Sequence, residues 1–159
     1  MLRNNKILLT AVVVLIISLC LFFYFIYTTN AKHNFLVTVF DIGQGDASLI
    51  QFNDGEKMLV DCGPNKNILA KLGQTLPFYD RDIDYMLVTH PDLDHYGGCV
   101  DVLKNYNVKE IIINNIKKEY DPYWRALDQA IKSEGAIVKI VENPEERVIS
   151  GASLQCFSP

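Results

Sequence analysis

The sequence has few cysteines and histidines, and it contains no internal repeat or low-complexity tract. Only three histidines and four cysteines occur among its 159 residues. No two cysteines form a Cys-x-x-Cys pair, and three lie outside an apolar N-terminal run, which argues against a complete disulfide framework. Each cysteine is most simply a small buried apolar residue. One disulfide stays possible, and the sequence does not identify its partners.

The sequence also has no excess of basic residues over acidic residues. The net charge is −4, and Arg3 and Lys6 are the only charged residues among the first thirty. Residues 31–159 therefore carry 13 basic and 19 acidic side chains. This balance argues against a protein that grips nucleic acid through a broad basic face. A phosphodiester substrate is still allowed, although not favoured, because bound metal ions are often the largest local charges in a site.

Charge is absent from one long run near the N-terminus. Residues 7–27 contain no charged side chain and are rich in Leu, Ile, Val and Phe. Such a run is long enough to span a bilayer as a helix, and the preceding Arg3 and Lys6 favour a cytoplasmic N-terminus. We therefore predict a membrane anchor over residues 1–30, with the remainder outside the cytoplasm. The alternative is a secretory signal peptide cleaved near Ala31, for which the apolar run is long.

Residues 31–159 are predicted to form one α/β (α+β) domain. Tight turns join the first three predicted strands, so these strands are expected to form an antiparallel meander. After them, predicted strands and helices alternate, which is typical of mixed folds. Strands are predicted at 36–40, 47–52, 57–61, 85–88, 108–113, 136–141 and from residue 153 onward. Helices are predicted at 66–72 (ending before Gly73), 99–106 and 121–135, and residues 78–84 and 142–147 are predicted as loops.

Four potential metal ligands lie close together after the fourth predicted strand. His90, Asp92, Asp94 and His95 fall within six residues of one another. Imidazole and carboxylate groups together suit a divalent cation such as zinc, manganese or iron. The ligands are expected on a loop at the end of a buried strand, and the Gly97-Gly98 pair is expected to allow a tight turn. An ordinary solvated turn is the alternative, because Pro, Asp and Gly are also common in turns.

The His-x-Asp-x-Asp-His spacing of residues 90–95 resembles the His-x-His-x-Asp-His signature of the metallo-β-lactamase superfamily, with Asp92 in place of the second histidine. Two other motifs accompany it, Asp-Ile-Gly-Gln-Gly-Asp-Ala at 41–47 and Leu-Val-Asp-Cys-Gly at 59–63. Together the three motifs are similar to the metallo-hydrolase domain of the ComEC-type competence proteins and their stand-alone relatives. The similarity extends from about Phe35 to the end of the chain.

The resemblance implies a four-layer αββα sandwich of two sheets, each covered by helices. This chain is expected to contain roughly the N-terminal half of that fold, and so to be a fragment or a truncated product. The family's remaining ligands, a carboxylate that bridges the metals and one or more histidines, would then come from the other half. His33 is badly placed to replace them.

The resemblance also implies a site for two divalent ions, manganese or zinc. His90 and Asp92 would bind the first ion, and Asp94 and His95 would bind the second. Asp94 would also orient the attacking water, which makes it the candidate catalytic residue. The aspartate at position 92 adds an oxygen ligand, which favours manganese over zinc.

Two further carboxylates, Asp46 and Asp61, lie in the other two motifs. Each is either a turn-forming residue or a support that orients a metal ligand from behind. In the family, the acid that matches Asp61 lies near the metal ions and helps to orient the site. The sequence leaves the roles of both residues open.

By resemblance, the predicted function is a membrane-anchored metal-dependent hydrolase, a nuclease that cuts DNA outside the membrane during uptake. Two alternatives stay open. The first is a hydrolase of a small ester, thioester or lactam on the same fold, which suits the acidic composition better. The second is a non-catalytic truncated module that binds one metal ion weakly or binds a partner.

Overall fold

The structure is a computed structural model that describes residues 2–30, 34–114, 118 and 120–156. The chain divides into two compact units, Met1–His33 and Asn34–Pro159. Residues 31–33, which include His33, lie outside the described residues.

The first unit is a single helix, α1, which covers Leu2–Asn30. Its large apolar side chains between Leu9 and Phe25 are exposed. Among the residues that the structure describes, no helix is long and apolar enough to cross a membrane. The run at 7–27 lies within α1 and is helical. The structure does not support its prediction as a membrane span.

The second unit is built on a six-stranded mixed sheet in which the spatial order of the strands equals their order in the chain. The strands are β1 (Leu36–Val39), β2 (Ser48–Gln51), β3 (Lys57–Val60), β4 (Asp82–Val88), β5 (Asn107–Asn114) and β6 (Ile137–Val141). The first three are antiparallel, as predicted, although the connection between β1 and β2 is longer than a tight turn. From β3 to β6 the strands are parallel, because helical crossovers connect them.

Among its described residues, four helices and a hairpin complete this unit. The helices are α2 (Asn67–Thr75), α3 (Leu93–Tyr96), α4 (Cys99–Asn105) and α5 (Pro122–Glu134), and the hairpin pairs β7 (Glu145–Ile149) with β8 (Ala152–Cys156). The predicted ends of α5 are confirmed. The Asp121 side chain accepts a hydrogen bond from the Tyr123 amide at 2.8 Å, and Gly135 ends the helix with a φ of 74°.

The sheet separates two apolar clusters, because successive side chains of a strand point to opposite faces. Leu59 and Met86 belong to the cluster that contains the apolar faces of α2, α4 and α5. Met58 and Ile112 belong to the other cluster, which contains Ile149 of the hairpin. The middle of the sheet is therefore packed on both faces, and the predicted mixed α/β class is confirmed.

Two predicted boundaries around α2 and β4 are wrong. The helix does not end before Gly73 but continues to Thr75. Burial of Leu72 and Leu76 outweighs the cost of an interior glycine, which is about 1 kcal/mol. Strand β4 begins at Asp82, inside the predicted loop at 78–84, because residue 82 pairs with the first residue of β5.

Two further elements were missed in regions predicted as loops. The loop predicted at 142–147 contains the start of β7, whose charged residues hid its strand character. Arg147 donates two hydrogen bonds to the Glu110 carboxylate, one of them at 2.6 Å, and Ile149 is buried. The short helix α3 lies within the predicted ligand loop.

Candidate functional site

The candidate ligands follow β4 at the carboxyl end of the parallel part of the sheet. Asp61 follows the neighbouring strand β3, and Val60 of β3 is in register with Leu87 of β4. The ends of these two parallel strands therefore lie side by side, where open α/β sheets place their binding sites. This register brings Asp61 next to Thr89, which are 28 residues apart in sequence.

Asp61 is the centre of the hydrogen bonds at this edge. Its side chain is nearly buried, at 4 % exposure. One carboxylate oxygen, Oδ1, accepts from the Thr89 amide at 2.9 Å. The other, Oδ2, accepts from the Thr89 hydroxyl at 2.6 Å and lies 2.8 Å from Nδ1 of His95. Asp61 also has a φ of 56°, a conformation that costs a non-glycine residue about 1 kcal/mol or more, and these contacts hold it there.

The two candidate histidines lie against each other. The ring centroids of His90 and His95 are 3.7 Å apart, with an angle of 48° between the ring planes. The His95 side chain is almost buried, whereas that of His90 is 44 % exposed. The backbone also fixes His95, because its carbonyl accepts from the Cys62 amide at 2.6 Å and its amide donates to the Asp92 carbonyl at 2.9 Å.

Tyr96, the last residue of α3, anchors this short helix to the helix α5. This residue is fully buried, and its ring makes an edge-to-face contact with Trp124 of α5. Its hydroxyl donates to the Asp121 carboxylate at 3.0 Å. Burial raises the pKa of Tyr96, and the bond to Asp121 raises it further, so the hydroxyl stays protonated and keeps donating. The turn that carries His95 is thereby tied to the helical layer.

Asp92 faces solvent and pairs with a lysine. Its Oδ1 lies 2.8 Å from Nζ of Lys118, and its Oδ2 lies 3.7 Å from Nε2 of His90. The hydrogen bond from Lys118, with the charge of the ammonium, lowers the pKa of Asp92 below its ordinary value. Lys118 was not singled out from the sequence, because no pattern connects it to the ligand loop.

Asp46 and Asp94 are less engaged than Asp61. Asp46 is 80 % exposed, and its Oδ2 lies 4.0 Å from Nδ1 of His95, beyond hydrogen-bonding distance. Asp94 is half-buried in the first turn of α3. The loop that contains Asp46 touches Asp94 through backbone, since a Cβ on Gly45 would lie only 1.9 Å from the Asp94 carbonyl oxygen.

The Gly97-Gly98 pair serves close packing and not the tight turn that was predicted. Both residues have ordinary helical φ values, −56° and −74°. A Cβ at Gly97 would lie 2.3 Å from the Pro64 carbonyl oxygen, and one at Gly98 would lie 2.3 Å from that of Cys62. The two glycines therefore let the end of the ligand loop press against the segment that follows β3.

A disulfide joins the same two segments. Cys62 and Cys99 are bonded with their Cα atoms 5.2 Å apart, and both residues are fully buried. The expectation that each cysteine is a separate apolar residue is therefore wrong for this pair. The two residues lie 37 apart in sequence, and only the packing of α4 on the end of β3 identifies them as partners. The bridge closes the base of the ligand loop.

The residues present fit a divalent ion in chemical type. In His95, Nδ1 faces Asp61, which leaves Nε2 available as a ligand, and metal-binding histidines commonly have such a carboxylate behind them. His90, Asp92 and Asp94 add an imidazole and two carboxylates on the same loop. Within residues 34–114, 118 and 120–156, however, no three such groups converge closely enough to form a cation site.

Comparison with known proteins decides the family. The sequence profile of the metallo-β-lactamase superfamily matches residues 40–152, which include the sheet, the ligand loop and the hairpin. The chain belongs to the metallo-β-lactamase superfamily. Its fold and motifs are accordingly those of a metal-dependent hydrolase, and divalent metals are the typical cofactors of this family.

Two curated relatives support the similarity to the ComEC-type branch of the metallo-β-lactamase superfamily. Recombination protein 2 of Haemophilus influenzae (strain ATCC 51907 / DSM 11121 / KW20 / Rd) is 31% identical over 84% of this chain and 19% of its own length. ComE operon protein 3 of Bacillus subtilis (strain 168) is 25% identical over 87% of this chain and 20% of its own length. This metallo-β-lactamase chain therefore spans about a fifth of the length of these relatives.

A solved structure also overlaps this metallo-β-lactamase domain. It is a new diphosphatase from the PhnP family, with 21% sequence identity and a TM-score of 0.44. The overlap covers 68% of this chain and 41% of that chain.

Proposed function

We propose that this chain is part of an extracytoplasmic nuclease that hydrolyses phosphodiester bonds of DNA by metal-activated water. The observation that carries the proposal is the pair of touching histidines, His90 and His95, on a loop that Asp61 fixes from behind. DNA as the substrate is supported by the motif resemblance to ComEC-type competence proteins and by the similarity to a recombination protein.

In this proposal His90 and Asp92 hold one divalent ion, and Asp94 and His95 hold a second, manganese or zinc. A divalent ion in such a site supplies Lewis acidity and makes hydroxide available near neutral pH. Asp61 keeps the His95 ring in place through the 2.8 Å contact with Nδ1. The Asp94 carboxylate orients the attacking water. Further ligands from the second half of an αββα sandwich belong to the same proposal.

The position of the domain outside the cytoplasm rests on two features. The buried Cys62–Cys99 disulfide suits an oxidising compartment, because cytosolic thiols are normally kept reduced. The exposed apolar side chains of α1, preceded by Arg3 and Lys6, suit attachment of residues 1–30 to a membrane. Cell fractionation of the full chain and of residues 31–159 tests this attachment, and recovery of both in the same soluble fraction would contradict it.

The central test is cleavage of a fluorescent single-stranded oligonucleotide by the full-length protein with manganese or zinc. His95→Ala should abolish metal-dependent cleavage, because it removes one of the proposed metal ligands. The matched control is Lys132→Gln on the exposed face of α5, which should keep full cleavage. Unchanged turnover in His95→Ala would contradict the assignment of the site.

A hydrolase of small esters, thioesters or lactams is the second candidate. The excess of acidic side chains in residues 31–159 favours it, since a polyanionic substrate gains nothing from that charge. A substrate panel separates the two candidates. Only the proposed nuclease should cut the oligonucleotide, and only the alternative should turn over a chromogenic ester or lactam.

A non-catalytic metal-binding module is the third candidate. It is favoured by the lack of three converging ligands among the described residues. Native mass spectrometry of the full chain with manganese or zinc discriminates here. Two ions per chain, lost in Asp94→Ala, support the enzyme, whereas one weakly bound ion and no cleavage support the module.

A further inference from the structure

Thr89 makes contacts that the proposed function leaves unused. It lies directly after β4, and its hydroxyl stands between two groups of the site. Oγ1 of Thr89 lies 2.6 Å from Oδ2 of Asp61 and 2.9 Å from Nδ1 of His90. The same Asp61 oxygen lies 2.8 Å from Nδ1 of His95. One carboxylate therefore touches one histidine directly and reaches the other through a single hydroxyl group.

We infer that Thr89 is a positioning residue. Its hydroxyl donates to Asp61 and therefore accepts from His90, so that this relay lets one carboxylate select the same tautomer in both histidines. In that tautomer the proton is on Nδ1, and Nε2 carries a free lone pair.

The direction of the hydrogen bonds follows from how many protons each group has. An ionised carboxylate can only accept, and a hydroxyl has one proton to donate. The Thr89 hydroxyl donates that proton to Asp61, as the short 2.6 Å distance of a charge-assisted bond indicates. It can then only accept from His90, so Nδ1 of His90 must carry the proton. Nδ1 of His95 must donate to Asp61 for the same reason.

Two hydrogen bonds hold Thr89 to Asp61, and His90 depends on Thr89 for the choice of its tautomer. The Thr89 amide also donates to Asp61, at 2.9 Å, so backbone and side chain are held by one buried group. His90 is half-exposed, and its Nε2 lies 3.7 Å from Oδ2 of Asp92, which is beyond hydrogen-bonding distance, so the contact with Thr89 is the one that selects its tautomer. His95 needs no relay, because it touches Asp61 itself. Removing the hydroxyl should therefore affect His90 and spare His95.

The purpose of this arrangement rests on the proposed function, since a free Nε2 matters most to a residue that binds metal. If the tautomer is set in advance, metal binding does not have to move the proton from Nε2 to Nδ1. Hydrogen-bond partners that orient a metal ligand in this way are commonly worth about 10- to 100-fold in metal affinity. The tautomers themselves can be measured without metal or substrate, so the inference and the proposed function can fail separately.

The test is a nitrogen-15 NMR measurement of the imidazole rings in the full, metal-free chain, at a pH where they are neutral. In the unchanged protein both His90 and His95 should carry the proton on Nδ1. In Thr89→Val, which keeps the shape and removes the hydroxyl, His90 should lose this preference while His95 keeps it. Thr89→Ser, which keeps the hydroxyl, should restore the original pattern.

Manganese and zinc titrations of the same three proteins give the second readout. Thr89→Val should bind about 10-fold more weakly or worse, and Thr89→Ser should bind nearly as well as the unchanged protein. A proton on Nε2 of His90 in the unchanged protein would overturn the inference without any variant. An unaltered His90 in Thr89→Val would also overturn it. Tautomers as expected, with no DNA cleavage by the unchanged protein, would refute the nuclease and leave the relay standing.

Discussion

The site has two halves that differ in how firmly the fold holds them. The buried half is centred on the nearly buried carboxylate of Asp61, to which the exposed residue Thr89 and the buried His95 are joined by hydrogen bonds of 2.6 to 2.9 Å. The exposed half consists of Asp46 and Asp92, which are 80 % and 59 % exposed. The hydrogen bonds of the buried half are made within the site and need no ion. In the exposed half, the Asp92 carboxylate instead pairs with Lys118.

The difference follows from the elements that carry each half. Asp61 and Thr89 follow adjacent parallel strands, whose register is fixed by the backbone ladder and by burial on both faces. Asp46 and Asp92 lie in loops, and their side chains face solvent. Rigid elements place groups more accurately than loops do. The buried half therefore orients the histidine rings, whereas the exposed carboxylates can change conformation when a ligand binds.

Loss of the disulfide should produce the largest change in stability. A cross-link that closes a loop of about 37 residues contributes about 4 kcal/mol in the chain-entropy estimate. Cys62→Ala/Cys99→Ala should therefore unfold at much lower urea concentration than the unchanged chain. The matched control, Cys156→Ala, removes a free cysteine and should have a small effect. Equal urea midpoints for the double variant and the control would show that the bridge does not secure the base of the ligand loop.

Removal of the Asp61 carboxylate should come next. Asp61→Ala leaves the amide and hydroxyl of Thr89 and Nδ1 of His95 without their buried acceptor, which should cost about 2 to 3 kcal/mol. Asp46→Ala removes an exposed carboxylate from the same face and should change the free energy of unfolding by less than about 0.5 kcal/mol. Urea unfolding of both variants measures the contrast between the two halves. Similar losses in both would mean that the halves are held alike.

Part of the fold and of the ligand loop could be predicted from the sequence, although the contrast between the two halves could not. The close spacing of His90, Asp92, Asp94 and His95, after an apolar run, predicted a ligand loop at a strand end, and the strand and loop lie there. The meander of β1 to β3 and the helix α5 were also predicted. Their signals are local, namely a tight Asp-Gly turn, an N-terminal Asp-Pro pair and a terminal glycine.

The contacts between distant residues could not be predicted in the same way. The role of Asp61 was left open because it depends on the parallel register of β3 and β4, which no local pattern specifies. The partners Cys62 and Cys99 were missed for the same reason. Thr89 lies directly before the ligand loop, but no role could be assigned to it from the sequence, because its hydroxyl matters only once Asp61 lies beside it.

The smallest expected effect concerns the exposed half. Lys118 donates to Asp92 and keeps the pKa of that carboxyl below its ordinary value. Lys118→Gln should therefore raise the pKa of Asp92 towards the ordinary value, which an NMR titration of the carboxyl carbon measures. The same change should strengthen manganese binding by a few-fold, because an ammonium and a metal ion compete for one carboxylate.

Lys132→Gln is the matched control for this last comparison. Lys132 pairs with Asp128 on α5, so its loss removes an equal charge without touching the site. If both variants gain the same affinity for manganese, the effect is one of net charge alone. If Lys118→Gln binds manganese more weakly than the control, Lys118 supports the site and does not compete for it. The exposed half would then be organised before metal arrives, and its difference from the buried half would be one of degree.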